Sequence, residues 1–404
     1  MGKLRWILGG FIALGVGFGH ISQTASQEGT EALGTPLGAF VVYPSVTVKS
    51  QYNSNIFAEE TNEQEDIIFT ISSEVRVESD WDNHSIQFLA GADFSQFVDQ
   101  PNENVIDYKF LSAGRVDILE DTFATLSVGI RRDHEDRGSP DDVFGEEPTE
   151  FTTTAAGLGF SHRFSQMWIE LSGDVARLDF DDVPAQGGGE INNDDRDRFE
   201  YGTRLRVGYD FNPAISVFLQ GTFSLADYED SLDDNGFARD NDSYGAAAGL
   251  RFDVTELVFG DFFVGYTRSE FDDPRFGSQD AFAVGSNLTW AVTELTSVNL
   301  LASTSWEQTT VAGASTALTK NAGLGVSHSL LDTVTLDAGV NYRIETFEEV
   351  DREDDTIEVT AGATYLVNRF LHTGLDYTFT NRSSDAEGQD YTTQTVFLTL
   401  RFQY

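Results

Sequence analysis

The last fourteen residues, Tyr391 to Tyr404, read YTTQTVFLTLRFQY and alternate between two kinds of side chain. From Val396 onward every second residue is apolar or aromatic, and the residues between them are mostly polar. A period of two places these two sets on opposite faces of a β-strand. In a transmembrane barrel the apolar row contacts lipid, the polar row faces the lumen, and a terminal aromatic lies in the interfacial girdle. The stretch therefore predicts one strand of such a barrel.

Similar strand-like segments recur along the chain, without a convincing amphipathic helix between them. Most exceed the roughly 9–11 residues that a tilted strand needs to cross a bilayer. We predict eighteen strands, with sixteen as the nearest alternative count, at 40–52, 66–79, 83–97, 105–119, 122–132, 151–164, 167–178, 198–211, 214–226, 243–254, 258–271, 281–292, 295–307, 317–330, 333–344, 356–367, 370–381 and 391–404.

The connections between these segments alternate in length. Every second junction is a tight turn, such as Glu120-Asp121 or Asn212-Pro213, and the others are longer and polar, such as 133–150 and 179–197. Short turns at one end and long loops at the other are typical of outer-membrane barrels, and an even strand count places both termini in the periplasm. The sequence thus predicts an all-β fold, a transmembrane antiparallel up-and-down barrel.

The N-terminus reads as a targeting segment. Lys3 and Arg5 precede an apolar run from Trp6 to Phe18, which predicts a secretory signal peptide over 1–26. An inner-membrane anchor is the alternative, although the run is short for a spanning helix. We expect residues 27–38 to form a short periplasmic leader and residues 39–404 to form a single barrel domain.

Composition excludes several classes of function. The chain of 404 residues has 25 basic and 67 acidic residues, a formal net charge of −42, which argues against nucleic acid as a partner. It has no cysteine, which excludes disulfides, thiolate metal sites and cysteine nucleophiles. The mean hydropathy of −0.26 is compatible with a barrel because each strand is only half apolar.

The acidic residues concentrate in the long junctions. The nine junctions at 59–66, 98–104, 133–150, 179–197, 227–242, 272–280, 308–316, 345–355 and 382–390 hold 42 Asp or Glu and 6 Lys or Arg. One interpretation is a solvated, repulsive surface. The other is that the loops bind divalent cations bridging lipopolysaccharide, or bias which solutes approach. We expect no cofactor apart from such cations, and no resident metal site.

The alternation also predicts which residues line the lumen. If the apolar row faces lipid, the inward cations are Lys49, Arg76, Arg115, Arg131, Arg163, Arg204, Arg206, Arg251, Arg343 and Arg401. The inward acids include Glu74, Asp93, Asp117, Asp210, Asp253 and Asp337. These groups either create a transverse field that sorts solutes by charge or satisfy one another as a structural ladder.

Two motifs carry a resemblance to known proteins. The final Phe402 and Tyr404 resemble the C-terminal signal by which bacterial outer-membrane barrels are recognised for assembly. The stretch Tyr52-Asn53-Ser54-Asn55-Ile56-Phe57, followed by an acidic loop, resembles the start of a β-barrel porin family of proteobacterial outer membranes, often associated with exopolysaccharide gene clusters. This resemblance implies an outer-membrane barrel and exopolysaccharide export, and it supplies no catalytic residues. As a turn residue, Asn55 also has a purely structural interpretation.

The functional hypothesis is a porin-like channel in the outer membrane of a Gram-negative bacterium, serving exopolysaccharide export or the passage of small hydrophilic solutes. The alternative is a structural or adhesive barrel that acts through its acidic loops. An enzyme is disfavoured because His84-Ser85 and His328-Ser329 are adjacent pairs, whose side chains point to opposite faces of a strand. The expected partners are outer-membrane lipid, lipopolysaccharide, the barrel-assembly machinery and polysaccharide-export components.

Overall fold

A computed structural model describes residues 32–254 and 257–404 of the protein. Eighteen long strands account for most of these residues. They are β1 Phe40–Asn53, β2 Asp66–Ser79, β3 Ser85–Phe97, β4 Val105–Leu119, β5 Thr122–His134, β6 Glu150–Phe164, β7 Met167–Phe180, β8 Arg198–Asn212, β9 Ile215–Tyr228, β10 Asn241–Val254, β11 Val258–Phe271, β12 Gln279–Thr293, β13 Thr296–Glu307, β14 Ala317–Leu331, β15 Val334–Phe347, β16 Arg352–Asn368, β17 Leu371–Ser384 and β18 Tyr391–Gln403.

Each strand pairs antiparallel with its neighbours in sequence, and the sheet closes on itself. The first and last strands pair from Ser45 opposite Gln403 to Asn53 opposite Thr395. Closure leaves no free sheet edge, which a bilayer requires because it offers backbone groups no water to bond with. The predicted all-β, eighteen-stranded antiparallel barrel is confirmed.

The predicted strand bounds agree with the structure except near the loops. The largest difference is in β16, predicted at 356–367, which begins four residues earlier at Arg352. Here outward polar groups continue the strand, since Tyr342 donates a hydrogen bond to Asp355 at 2.6 Å and Thr346 donates one to Glu353 at 3.1 Å. The prediction relied on outward residues being apolar, so it ended the strand where the outward residues become polar.

The outer face of the wall is apolar across its middle, as a lipid-facing surface must be. Leu158, Leu219 and Leu398 are 66%, 67% and 53% exposed, values that would be unusual for leucine on a protein in water. Among the described residues, no helix is long and apolar enough to span a membrane.

Aromatic side chains mark both edges of this apolar band. Toward the loops, outward tyrosines donate hydrogen bonds to carboxylates, as Tyr52 does to Glu65 at 2.5 Å and Tyr244 to Glu270 at 2.9 Å. Toward the turns, Trp290 is exposed, and the rings of Phe370 and Tyr404 stack with centroids 5.7 Å apart. Aromatic rings with one edge in contact with water or polar groups are characteristic of membrane interfaces.

The N-terminal side of the barrel contains one further short strand. Residues Thr35–Leu37 pair with Phe40–Val42, next to the point where β18 ends. The sequence did not predict this strand, which occupies an otherwise free stretch of β1. The predicted signal peptide, 1–26, and the first residues of the leader, 27–38, lie outside the described residues, as do two residues of the turn after β10.

Candidate functional site: the barrel lumen

A cavity of about 1160 Å³ occupies the loop-side half of the lumen. Its walls come from inward-facing residues of the strands and from loops that fold between them. Ten Asp or Glu residues and seven arginines line it, together with many hydroxyl and amide side chains. The cavity is therefore polar and carries an excess of acidic groups.

Residues 135–149, between β5 and β6, form an inward loop that enters this cavity. Its base is closed by a backbone hydrogen bond of 2.8 Å from Glu135 to Thr149. Arg137 donates hydrogen bonds to Glu103, at 2.7 Å and 2.9 Å, and both side chains are almost fully buried. The neighbouring loop contributes Arg196, which donates to Glu135 at 3.0 Å. Paired buried charges with good geometry hold the loop in one conformation.

The tip of the inward loop contacts the far side of the barrel. One carboxylate oxygen of Asp141 accepts hydrogen bonds from the Thr309 hydroxyl at 2.7 Å and from the Thr310 backbone N–H at 2.8 Å. On β17, Arg382 donates to the Gly138 carbonyl at 2.7 Å. Since β5 and the β13–β14 loop lie eight strands apart among eighteen, the loop crosses the lumen. It narrows the barrel at this level.

Burial changes the proton affinity of the carboxylates in this loop. It raises the pKa of Glu135 above its usual value, and Arg196 opposes that shift. It likewise raises the pKa of Asp142, against the opposing effect of Arg137. In both cases the arginine stabilises the ionised form, so the loop depends on its ion pairs.

The motif after β1, residues 52–57, also helps to hold the inward loop in place. Asn55 is 1% exposed, and its amide donates to the carbonyls of Glu59 at 2.8 Å and Thr392 at 3.2 Å. It thereby ties the first loop to β18, beside the seam where the barrel closes. Phe57 lies under the guanidinium of Arg137, with 5.9 Å between the Arg137 Cζ and the ring centroid. The motif is thus part of the architecture that holds the loop.

One part of the lumen wall is packed by aromatic rings lying on glycines. Trp168, Phe218 and Phe263 face inward, and each is directly opposite a glycine of the following strand. A Cβ on Gly208 would come within 2.1 Å of the Trp168 ring, so any larger residue there would displace the ring. This row was not predicted from the sequence, although each aromatic–glycine pair follows from strand register. Rings covering glycines restore contacts that a glycine cannot make itself.

Arginines cover these rings and pair across several strands. Arg251 donates two hydrogen bonds of 2.9 Å to Glu170, and its Cζ lies 4.1 Å from the Trp168 ring centroid. Arg206 donates to Asp261 at 2.8 Å. Both ion pairs join strands three positions apart, which side chains can reach only across the concave, inner face. We call this region, Trp168, Glu170, Arg206, Phe218, Arg251, Asp261 and Phe263, the braced wall.

The predicted lumen residues fall into two groups. Most of them form ion pairs: Arg76 with Glu78, Lys109 with Glu74, Arg115 with Asp117, Arg131 with Asp133, Arg163 with Asp210, Arg206 with Asp261, and Arg251 with Glu170. The others are Lys49, Asp93, Arg204, Asp253, Asp337, Arg343 and Arg401, for which the described structure contains no ion pair.

A second, smaller cavity of about 60 Å³ lies in the wall formed by the first four strands and the last strand. Glu74, Asp93 and Arg401 line it together with Lys109. Nearby, the Lys49 ammonium lies 5.1 Å from the ring centroid of Phe397. The fold therefore brings these cations and acids close together. Arg204 lies outside this cluster and is exposed.

The loop-side part of strands β13 to β16 has a different character. Its inward residues Glu307, Asn321, Asn341, Arg343, Glu345 and Glu358 all line the large cavity, and we call them the open wall. The Oδ1 atoms of Asn321 and Asn341 are buried and have no hydrogen-bond partner. Among the described arginines that line the cavity, Arg343 is the one that makes no hydrogen bond or ion pair. The open wall therefore offers unused polar groups to the lumen.

The histidines next to serines have structural partners. His84 accepts a hydrogen bond of 3.0 Å from the Asp117 backbone N–H, and His328 lies 2.9 Å from the Thr296 hydroxyl. Within residues 32–254 and 257–404, no three or more His, Cys, Asp or Glu side chains are arranged to hold a metal ion.

The closed barrel, its lipid-facing belt and its polar lumen define an outer-membrane β-barrel of the porin type. The chain belongs to the family described as Putative beta-barrel porin 2, whose model matches residues 28–404. This agrees with the resemblance seen in the sequence. No curated protein matches the chain.

Solved structures with a similar fold include outer-membrane proteins of low sequence identity. OpdK of Pseudomonas aeruginosa, solved with vanillate, is 11% identical, with a TM-score of 0.47 and coverage of 90% of this chain and 99% of that one. OccK2 (OpdF) of P. aeruginosa is 10% identical, with a TM-score of 0.49 and coverage of 91% and 98%. The unliganded ferric citrate transporter FecA is 10% identical, with a TM-score of 0.48, and the match covers 86% of this chain and 60% of FecA. The fold assignment rests on the strand pairing of the chain itself.

Proposed function

We propose that this protein is an open channel for small hydrophilic solutes in the outer membrane of a Gram-negative bacterium, narrowed by its inward loop. The observation that carries the proposal is the 1160 Å³ polar cavity inside a closed eighteen-stranded barrel. A barrel of this size is wide enough for an aqueous lumen. The short turns at the end where both β1 begins and β18 ends support periplasmic termini.

Exopolysaccharide export is the other cellular role that we propose for this barrel, as an alternative to the passage of small hydrophilic solutes. The support is the family resemblance carried by residues 52–57, with the barrel-assembly machinery, lipopolysaccharide and polysaccharide-export components as partners. Phe402 and Tyr404 remain the residues proposed to be read during assembly. We also retain the proposal that divalent cations bind at the acidic loops.

A planar bilayer recording of refolded protein tests the channel. We expect a steady unit conductance, and adding soluble polysaccharide fragments should interrupt it in brief, concentration-dependent events. Arg204→Gln should change the ratio of cation to anion permeability, because this exposed guanidinium makes no ion pair or hydrogen bond among the described residues. A refolded barrel that never conducts would contradict the channel. Conductance without interruptions would contradict only the polysaccharide role.

A second candidate is a structural or adhesive barrel acting through its loops. The favouring observation is that the loops are braced by ion pairs, such as Arg239 with Asp233 at 2.7 Å and Arg137 with Glu103 at 2.7 Å. A rigid acidic surface suits binding. This candidate predicts a closed lumen and so is distinguished by the same recording.

A further inference from the structure

We propose that the channel prefers cations, and that Glu307, Glu345 and Glu358 of the open wall set this preference. The solute class would be small monovalent metal ions and protonated amines. The inference rests on the channel function proposed above and names the charge of the solutes that use it.

The first support is the distribution of pairs in the large cavity. Six of its seven arginines are engaged. Three pair with carboxylates that line the cavity, Arg131 and Arg137 pair with the neighbouring Asp133 and Glu103, and Arg382 donates to backbone carbonyls. Several of the acids there make no ion pair with a cation. A solute in the cavity therefore meets a net negative charge, even though both arginines and carboxylates line the wall.

The second support is Glu345 itself. This residue on β15 is 8% exposed, lines the cavity, and makes no hydrogen bond or ion pair within the described structure. Its cross-strand neighbours are Thr319 and Asp354, and Asp354 is already paired with Arg352 at 2.7 Å. A buried carboxylate without a partner is costly. A cation or an N–H donor from the lumen would supply the missing interaction.

The other groups of the open wall also favour a hydrogen-bond donor or a cation as the partner of Glu345. Glu358 lies directly opposite Asn341, and Glu307 accepts a hydrogen bond of 3.0 Å from Ser305. Arg343 is the one basic group of the open wall, against three carboxylates. An anion would meet this excess of acid, whereas an ammonium group could be bonded by several oxygens.

The inward loop places solutes close to these oxygens. Its contacts at Thr309–Thr310, after β13, and at Arg382, on β17, flank the strands that carry the open wall. Residues 138–141 of the loop line the same cavity as the open wall. A solute passing between them meets the carboxylates at short range.

The acidic external loops also contribute to the cation preference, but at long range, and their effect can be separated experimentally from that of the open wall. Their acidic excess attracts cations to the mouth, but this field acts over a Debye length of about 10 Å at 0.1 M salt and about 3 Å at 1 M. Carboxylates beside the permeating ion are screened much less. Preference that persists at 1 M salt therefore reports the open wall.

The experiment measures reversal potentials in KCl gradients at low and high mean salt, at a mildly alkaline pH so that the buried carboxylates are ionised. For the wild type we expect cations to be favoured roughly threefold or more over chloride, at both salt levels. Glu345→Gln with Glu358→Gln should bring the ratio toward one at 1 M salt. Arg343→Gln should raise the ratio of cation to chloride permeability, because it removes a positive charge from the same wall. Heat-dependent gel mobility verifies that each variant has folded.

The matched control is Asp355→Asn, which removes one charge from β16 on its outer row, where Asp355 accepts the Tyr342 hydroxyl. It should leave the permeability ratio unchanged. An open channel that favours chloride, or that loses its preference equally in Asp355→Asn, would overturn this inference alone. A barrel without conductance would overturn the channel and this inference together.

Discussion

One continuous row of cross-strand neighbours connects the braced wall with the open wall, yet polar groups are paired in the first and mostly unpaired in the second. The row runs through Trp168, Gly208, Phe218, Gly249, Phe263 and Gly285, then through Ser303, Asn321, Arg343 and Thr356. In the first half, rings fill the space over glycines and arginines are paired above them. In the second half, Ser303, Asn321, Arg343 and Thr356 replace the rings and glycines, and Arg343 makes no hydrogen bond or ion pair within the described residues.

This difference separates two roles that a charged lumen can have. A guanidinium held by a bidentate carboxylate has little left to offer a passing solute, and its removal leaves an unpaired charge. An unpaired guanidinium contributes little to stability but adds its full charge to the field in the lumen. We therefore expect the structural ladder in the braced wall and the solute-sorting field in the open wall.

The largest effect on stability is expected in the braced wall. Arg251→Gln leaves Glu170 without its two hydrogen bonds and uncovers Trp168. Because the pair is about one-third exposed, we expect a loss of about 2–3 kcal/mol in the free energy of unfolding, less than the roughly 3–5 kcal/mol typical of a broken, fully buried pair. Urea titration in lipid vesicles, followed by tryptophan fluorescence, measures it.

The control for this change is the double variant Arg251→Gln, Glu170→Gln. Removing both charges should recover part of the loss, since no unpaired carboxylate remains. A double variant as unstable as the single one would mean that the ion pair does not brace the wall.

The glycines under the rings give the next effect. Gly208→Ala brings a Cβ within 2.1 Å of Trp168, so the ring must move and we expect a loss of about 1–3 kcal/mol. Gly221→Ala is the matched control on the neighbouring strand, because nothing lies within 4 Å of its Cβ position. Equal stabilities of the two variants would contradict the packing described for the braced wall.

A smaller loss is expected at the barrel seam. Asn55→Ala removes the hydrogen bonds to Glu59 and Thr392 and leaves these partly buried carbonyls without the Asn55 donor. We expect a cost of about 1–2 kcal/mol, measured by the same urea titration. Asn55→Asp retains the acceptor for the Glu59 N–H but loses the donor, so it should be destabilised as well. An unaffected Asn55→Ala would remove the structural role proposed for this motif.

The smallest effect on stability is expected in the open wall. Arg343→Gln should change the free energy of unfolding by less than about 0.5 kcal/mol, because the described structure gives this side chain no hydrogen bond or ion pair to lose. The same substitution at Arg206, which has Asp261 and Gln220 as partners, should cost several times more. If Arg343→Gln were the more destabilising of the two, the distinction between the walls would be wrong.

Much of this architecture could be predicted from local pattern. Strands β2, β4 and β11 have the predicted bounds, since a lipid-facing row must be apolar and a lumen-facing row need not be. Register then pairs Trp168 with Gly208, which a comparison of adjacent strands could have found. The inward loop could not be predicted, because Asp141 meets Thr309 168 residues away and Gly138 meets Arg382 244 residues away. Such contacts leave no periodic signal.

The central claim is that this barrel conducts through a lumen narrowed by residues 135–149. The most direct measurement compares the unit conductance of the wild type with that of a variant in which residues 136–141 are replaced by a Gly-Ser linker, in the same bilayer. We predict a steady conductance for the wild type and a clearly larger one for the variant, because the contacts to Thr309, Thr310 and Arg382 are lost. Equal conductances would contradict the constriction, and silence in both proteins would contradict the channel.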